Sequence, residues 1–308
     1  MAKSPSSVLD RVRALYAKDA SMTKIIDNST GKPKEYTEAD GVPLPPSNPV
    51  RCMTDLPCLP FNKVVQVAGK PDAGKSTTAG EIAAAAQKAG FEIVIWDAEQ
   101  KFDAARFKKE FGGDPEKIHV IQTNEIRKGG QLVKDFICVI KEDNPKAKIF
   151  VVWDSVGGSI SRAETDRNLS DEKHAQPGTE ARENSSVIRH WVGMFNKYPD
   201  SIAVLLVNQT YAKIGFMQHG DQAKGGSGIE YFSSLIIYLR RVKVLTKVSK
   251  KKKIKTGIIT RATVAKNHLS QGKTSVHQMD FVITAAGSSV SDLDIPDDED
   301  GNNESEEG

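Results

Sequence analysis

Short apolar runs recur along the chain, and several stop abruptly at polar or acidic residues. Residues 91–99 pass through Ile93, Val94, Ile95 and Trp96 to Asp97-Ala98-Glu99. Residues 146–155 pass through Ile149, Phe150, Val151, Val152 and Trp153 to Asp154-Ser155, and residues 202–209 end in Asn208-Gln209. With 63–68 and 235–245, these read as buried strands, because short runs rich in β-branched residues leave no polar face. Residues 256–266 read as a return strand from a hairpin tip made by four consecutive lysines, 250–253. Helical spacing appears in the Ala-rich stretch 77–90, which stops at Gly90, and in the stripe Val187, Ile188, Trp191, Val192 and Phe195. Strands interleaved with helices predict an α/β fold.

Outside these runs the pattern changes. Val8, Leu9, Val12, Leu15 and Tyr16 recur at helical spacing, with Ser6 or Ser7 available as N-cap. One such helix must pack on its own body or on a neighbour. Residues 31–60 carry prolines at 33, 43, 45, 46, 49, 57 and 60, which predicts a stiff, extended linker. The expected division is an N-terminal arm, 1–35; a Pro-rich linker, 36–60; a core, 61–285; and a tail, 286–308. Residues 160–182 and 210–228 read as long polar loops leaving strand ends.

The chemistry begins at Gly69-Lys70-Pro71-Asp72-Ala73-Gly74-Lys75-Ser76, which fits G-x-x-x-x-G-K-[ST] between a strand and a helix. Glycines let backbone N–H groups curl around phosphate oxygens, and the helix N-terminus favours negative charge. Lys75 would reach the β- and γ-phosphates of ATP, the Ser76 hydroxyl would ligate Mg²⁺, and Thr77 completes the nucleotide-binding set. Asp154, closing an apolar strand, has the form of a Walker B carboxylate. Asp97 or Glu99 would face the nucleotide, because ligands gather at the carboxyl ends of parallel strands.

Composition adds constraints. Of 308 residues, 38% are apolar, so some segments are solvated. Three cysteines, none in a C-x-x-C pair, suit a reducing cytosol and exclude a disulfide framework or zinc site. No run approaches the ~18 apolar residues of a membrane span, and no signal sequence opens the chain. Residues 292–308 hold nine acidic side chains and no basic one; taking that −9 from the net +3 leaves a body at +12. A basic body with an acidic tail predicts a polyanionic partner.

Taken in chain order, Asp97-Ala98-Glu99, Val152-Trp153-Asp154-Ser155-Val156, Asn208-Gln209, Lys213-Ile214-Gly215, Gly225-Gly226, Arg240-Arg241 and Lys266-Asn267-His268 resemble the RecA-type strand-exchange recombinases, including their phage UvsX-like branch. The resemblance covers about residues 61–285 and implies a P-loop ATPase core with a mostly parallel central sheet. It implies that Glu99 is the catalytic glutamate, Asp103 lies near adenine, and Gln209 senses the γ-phosphate. Lys266 and His268 would reach a neighbour's γ-phosphate, and Tyr231 would dock into an adjacent subunit. Arg182, Arg189, Lys213, Gly225, Gly226 and Ser227 would hold single-stranded DNA, and Arg240, Arg241 and Arg261 would belong to a secondary site for homologous double-stranded DNA.

The resemblance therefore implies a DNA-dependent ATPase that forms a helical homo-oligomeric filament and exchanges strands. It would work in a bacterial or phage-infected cytoplasm, with a single-strand-binding protein and a loader as partners. Two other readings stay open: a hexameric RecA-fold motor, and an ATP-binding filament that coats DNA with little turnover. The sequence departs from the family pattern in places. His268 stands where lysine is usual. Arg106 stands where an adenine-stacking tyrosine is common, with Arg106 or Phe107 as its substitute. The acidic tail follows the core almost directly, so duplex capture is expected from lysines 250–253 or the N-terminus.

Overall fold

The computed structural model describes residues 35–166, 178–212, 221–249, 252–269, 276–285 and 287–291. The expected N-terminal helix, Lys213, Lys250, Lys251 and the acidic tail lie outside the described residues.

Residues 36–60 depart from the linker reading. Strand β1 (Gly41–Pro43) pairs antiparallel with β2 (Cys58–Pro60), and helix α1 (Pro49–Thr54) stands between them. Asn48 caps α1 by accepting from Val50 N at 3.1 Å, and Pro49 needs no partner for a missing N–H. Val42, Leu44, Val50, Met53 and Leu59 are buried in the main core. The prolines do turn the chain, but the apolar residues between them anchor it to the body.

The core alternates strand and helix: β3 (Val64–Gly69), α2 (Lys75–Lys88), β4 (Glu92–Asp97), α3 (Ala104–Phe111), β5 (Ile118–Ile121), α4 (Ile126–Asp143) and β6 (Ile149–Asp154). Then come α5 (Arg162–Thr165), α6 (Thr179–Lys197), β7 (Ile202–Ala212), β8 (Asp221–Ala223), α7 (Ser227–Phe232), β9 (Ser233–Ser249), β10 (Lys252–Asn267), β11 (Gln278–Thr284) and β12 (Gly287–Val290). Among the described residues one sheet has the order β12-β11-β10-β9-β3-β7-β6-β4-β5, with β8 beside β7. The six strands from β9 to β5 run parallel, and β10, β11 and β12 add an antiparallel wing.

The continuous apolar runs have a direct cause, since both faces of the parallel sheet are covered. Ile93, Ile95, Phe150, Val152, Ala203 and Leu205 enter one core with α1, α2 and α3. Their strand neighbours Val94, Trp96, Val151, Trp153, Val204 and Leu206 enter the other, with α4 and α6. At the centre of that second core Trp96 stacks on Trp153 at 4.1 Å, and Trp191 meets both edge-on. Each indole N–H has a partner: Thr123 O, Ser159 Oγ and Gly130 O.

Helix α4 has no counterpart in the sequence reading, because Gly129-Gly130 sits in its first turn. The glycines answer to packing. A Cβ on Gly129 would lie 2.1 Å from the Trp96 ring, and one on Gly130 would lie 2.5 Å from Val187. Loop 160–182 is shorter than expected, since α5 lies within it and α6 already begins at Thr179. Strands β9 and β10 form a long ribbon in which Lys252 pairs with Ser249, which fits a lysine-rich tip. No helix among the described residues is long and apolar enough to cross a membrane.

Gly129→Ala should cost about 1–3 kcal/mol, the usual penalty for overpacking. Gly193→Ala, on the exposed face of α6 with open space around it, should be neutral or stabilising by up to about 1 kcal/mol. Denaturant melts followed by tryptophan fluorescence compare the two; equal midpoints would mean that the indole stack tolerates the extra methyl.

Candidate active site

The parallel strands bring their carboxyl ends to one edge of the sheet. Gly69 pairs in register with Gln209, and Asp97 with Asp154. The phosphate-binding loop leaves β3 at Gly69, where a Cβ would lie 2.1 Å from the Leu239 carbonyl oxygen. Gly74, at φ +90°, starts α2, and a Cβ there would lie 2.3 Å from Ile283 Cδ1. Both positions therefore demand glycine. Thr260 braces the loop by donating to Ala73 O at 3.1 Å. Lys75 is buried, and its ammonium donates to Gly69 O and Lys70 O at 2.8 and 2.7 Å. Burial pushes its pKa down, against the opposing pull of Asp154 and Glu99. A cation held inside a loop of backbone N–H groups at a helix N-terminus is suited to a polyphosphate.

Ser76 Oγ donates to Asp154 Oδ2 at 3.1 Å, which joins the loop to β6. Burial, then the nearby charges of Glu99 and Asp97, push the Asp154 carboxyl up to about 6 despite the Ser76 hydrogen bond and Lys75. A hydroxyl beside a carboxylate crowded by like charges is a hard-oxygen pair that fits Mg²⁺. Among the described residues no group of three or more His, Cys, Asp or Glu is arranged to hold a metal by itself. Substrate oxygens and water would complete the coordination, which is the usual way Mg²⁺ is held.

Glu99 occupies the centre. Its Oε1 accepts from the Ser155 hydroxyl and, at 2.6 Å, from Gln209 Nε2; its Oε2 accepts from Lys101 Nζ at 2.6 Å. Burial opposes its ionisation, but the hydrogen bonds from Lys101, Ser155 and Gln209 together outweigh it and hold the carboxyl at about 2. Asp97 shares the cavity side of the sheet edge with Glu99 and Asp154. It is buried and accepts from the backbone N–H groups of Lys101 and Phe102, at 2.9 and 2.8 Å, and from Gln122.

Beside these groups lies a cavity of about 240 Å³, lined in part by Ser76, Glu99, Lys101, Asp103, Arg106 and Asp154. Asp103 caps α3 by accepting from Arg106 N at 2.9 Å. Phe107 is 3% exposed, packs among Phe102 and Phe111, and lines the cavity with them. Arg106 lines it too. Its guanidinium donates to Thr77 Oγ1 at 2.9 Å, pairs with Glu110 at 2.5 Å and lies over the Phe111 ring.

Gln209 extends the network outward. Its Oε1 accepts from Lys224 Nζ at 3.3 Å, and its carbonyl accepts from Lys224 N at 2.9 Å. Asn208 Nδ2 donates to Lys224 O at 2.7 Å. Gly225 and Gly226, both at positive φ, follow, and Ser227 opens α7. This turn lies against α6, where Asn184 donates to Gly225 O at 3.4 Å. Arg182 and Arg189 are on that same helix, and Arg189 is exposed. Sequence reasoning assigned no role to Lys101 or to the Ser155 hydroxyl; the only signal was their place, two residues after Glu99 and one after Asp154.

Other expected residues lie elsewhere. Arg240 and Arg241 are exposed on β9, and Arg241 pairs with Asp72 of the phosphate loop at 3.3 Å, with Lys255 at 3.7 Å from the same oxygen. Arg261 departs from its expected role. It is 5% exposed and forms a two-pronged ion pair with Asp280 at 2.7 and 2.9 Å, so it is not available to DNA phosphates. Lys266 and His268 are not near this chain's own loop. Lys266 pairs with Ile236, which pairs with Gln66 near the start of β3, toward the opposite end of the sheet. Lys266 Nζ donates there to Glu230 O and Tyr231 O, and Tyr231 is 79% exposed.

A family model for the RecA N-terminal domain matches residues 47–285. The protein RecA of Roseiflexus castenholzii is 30% identical over 213 residues, 69% of this chain and 56% of that protein. RecA of Sulfurimonas denitrificans is 29% identical over 214 residues, 69% and 57% of the two. RecA of Aquifex pyrophilus is 24% identical over 273 residues, 88% and 74%. The matched region thus spans little more than half the length of the first two relatives.

The raised Asp154 pKa carries a sign for stability. In metal-free protein the folded state holds that proton more tightly than the unfolded chain. Its stabilising contribution is full below the ordinary carboxylate range and is lost as pH rises through about 6. Asp154→Asn should therefore stabilise the metal-free protein by about 1–3 kcal/mol near neutrality while removing any rise in melting temperature on adding Mg²⁺. Urea melts in chelator should show the variant's advantage growing between about pH 4 and about pH 7 and then levelling off; a constant gap would contradict this origin.

Proposed function

The chain belongs to the RecA family, and from that premise we propose that it is an ATP-dependent DNA recombinase that forms filaments on single-stranded DNA. The observation that carries the proposal is the continuous hydrogen-bond path Glu99–Gln209–Lys224, which runs from the carboxylate at the nucleotide site to the turn at Gly225 and Gly226. A shift of Gln209 toward a γ-phosphate would release Lys224 and alter the loops beside α6, so nucleotide state and DNA grip would be coupled reciprocally.

In this mechanism the loop N–H groups and Lys75 hold the phosphates, and Ser76 and Asp154 hold the metal. Mg²⁺, when bound, neutralises charge building on the phosphate oxygens. Glu99, held ionised at about 2, orients the attacking water rather than storing its proton. Arg182 and Arg189 would meet the backbone of single-stranded DNA; Arg240, Arg241 and the lysines of the β9–β10 ribbon would meet the duplex. Contacts to the backbone carry no sequence, so homology would be read by base pairing.

The two ends of the sheet favour a head-to-tail assembly. Lys266 and His268 lie toward one end and the phosphate loop at the other, so a neighbour stacked in the same sense would complete the site. Such heterologous contacts propagate as helical filaments unless the rotation closes a ring. A single-strand-binding protein and a loader would be expected partners in the cytoplasm of a bacterium or an infected host.

The deciding test is joint-molecule formation between single-stranded DNA and homologous supercoiled duplex with a slowly hydrolysed ATP analogue. Homology-dependent joints are expected; a motor would stall, and tight coating without joints under either nucleotide would indicate a passive filament. Replacing lysines 250–253 by alanine should also weaken duplex binding and flatten its salt dependence, by up to about 0.9 in log–log slope for each phosphate no longer neutralised. An unchanged slope would place duplex capture elsewhere.

A further inference from the structure

We infer that Lys101 is a positioning residue for ATP hydrolysis: it clamps Oε2 of Glu99 and so fixes the plane in which that carboxylate meets the attacking water. The inference rests on the proposed ATPase reading and concerns a residue to which the sequence motifs give no role.

Oε1 of Glu99 is held from two sides, by Ser155 beyond the end of β6 and by Gln209 on β7. Hydrogen bonds at one oxygen alone leave the carboxylate able to pivot about that oxygen, with Oε2 unheld. Lys101 Nζ, 2.6 Å from Oε2, removes that freedom. The clamp is itself built on a rigid base. Asp97, buried at the end of β4, accepts from Lys101 N and Phe102 N, and Gln100 turns the chain between them at φ +54°. The backbone of Lys101 is thus pinned while its side chain stays exposed.

The clamp lies beside the reacting groups. Lys101 lines the same cavity as Ser76 and Asp154. An exposed ion pair of this kind contributes little to stability. Its consequence is orientation, and small misplacements of a reacting group can cost about a hundred-fold in rate. In the step itself, the water oxygen bonds to the γ-phosphorus as the bond to the bridging oxygen breaks. ADP leaves with that electron pair, and the proton of the water passes to a γ-phosphate oxygen, giving inorganic phosphate. Glu99 accepts a hydrogen bond from the water, and Lys101 keeps all its protons throughout.

The test measures kcat and KM for DNA-stimulated ATP hydrolysis by the full chain, its Lys101→Ala and Lys101→Arg variants, and the same changes in a Glu99→Gln background. Lys101→Ala should lower kcat by about ten- to a hundred-fold, with KM and analogue-supported binding of single-stranded DNA within about two-fold of the parent. Lys101→Arg should recover most of the loss. In the Glu99→Gln background Lys101→Ala should have no further effect, because the group it positions is gone. A kcat within about two-fold of the parent, or a further ten-fold loss in that background, would overturn the role given to Lys101. A parent chain with no DNA-stimulated turnover would remove the ATPase reading itself, and the Lys101 role with it.

Discussion

The parallel pairing of β3 with β7 positions the site. In that register Gly69, where the phosphate loop begins, lies opposite Gln209, where the path to the second loop begins. The pairing is specified by burial on both faces. Val65, Val67 and Leu205 point into one core, and Val64, Val204 and Leu206 into the other. A slip of one residue would exchange the two sets and move Gln209 away from Glu99. Ordinary apolar packing thereby fixes the polar geometry at the sheet edge to within a hydrogen bond.

Once three carboxylates gather at that edge, their surroundings separate them. Asp97 is spent on backbone N–H groups and serves as architecture. Glu99 collects donors on both oxygens and is held near 2, whereas Asp154 has one hydroxyl, is half-buried beside like charges and is pushed to about 6. Under the proposed function the first would orient water, and the second would take its charge partner from a divalent cation. Burial raises both; three donors outweigh it at Glu99, whereas Asp154 has one donor and two neighbouring carboxylates that add to it.

The chemistry of the edge was legible in the sequence because it depends on local order: a glycine loop between strand and helix, and acids where apolar runs stop. The long buried strands were legible too. Features whose cause lies across the fold were not. Gly129-Gly130 breaks the helical pattern of α4 because Trp96 and Val187, distant in sequence, occupy the space of a side chain. The prolines of residues 36–60 suggested a stiff, extended linker because their effect on backbone is local, while the burial of Val42, Leu44 and Met53 is not. Arg261 looked like a DNA-facing cation until β11 placed Asp280 directly opposite it. Lys101 was invisible for the same reason: its role depends on Asp97 folding the next four residues back over Glu99.

The loop and the ribbon are joined by a charge that is out of place only when the loop is considered alone. Asp72 puts an anion inside a phosphate-binding loop, at φ +57° and mostly exposed. Arg241 and Lys255, from the base of the β9–β10 ribbon, share its Oδ2. A polyphosphate entering the loop would repel Asp72 and attract those same two cations, so the partners of Asp72 would be drawn toward the nucleotide. Thr260 and Ile283 press on Ala73 and Gly74 from the same wing. Nucleotide charge would therefore act on two separate outlets, through Gln209 to the turn beside α6 and through Asp72 to the lysine-rich ribbon. A fold with the phosphate loop between two such elements needs no long relay to make both respond to the same ligand, since each is one side chain away.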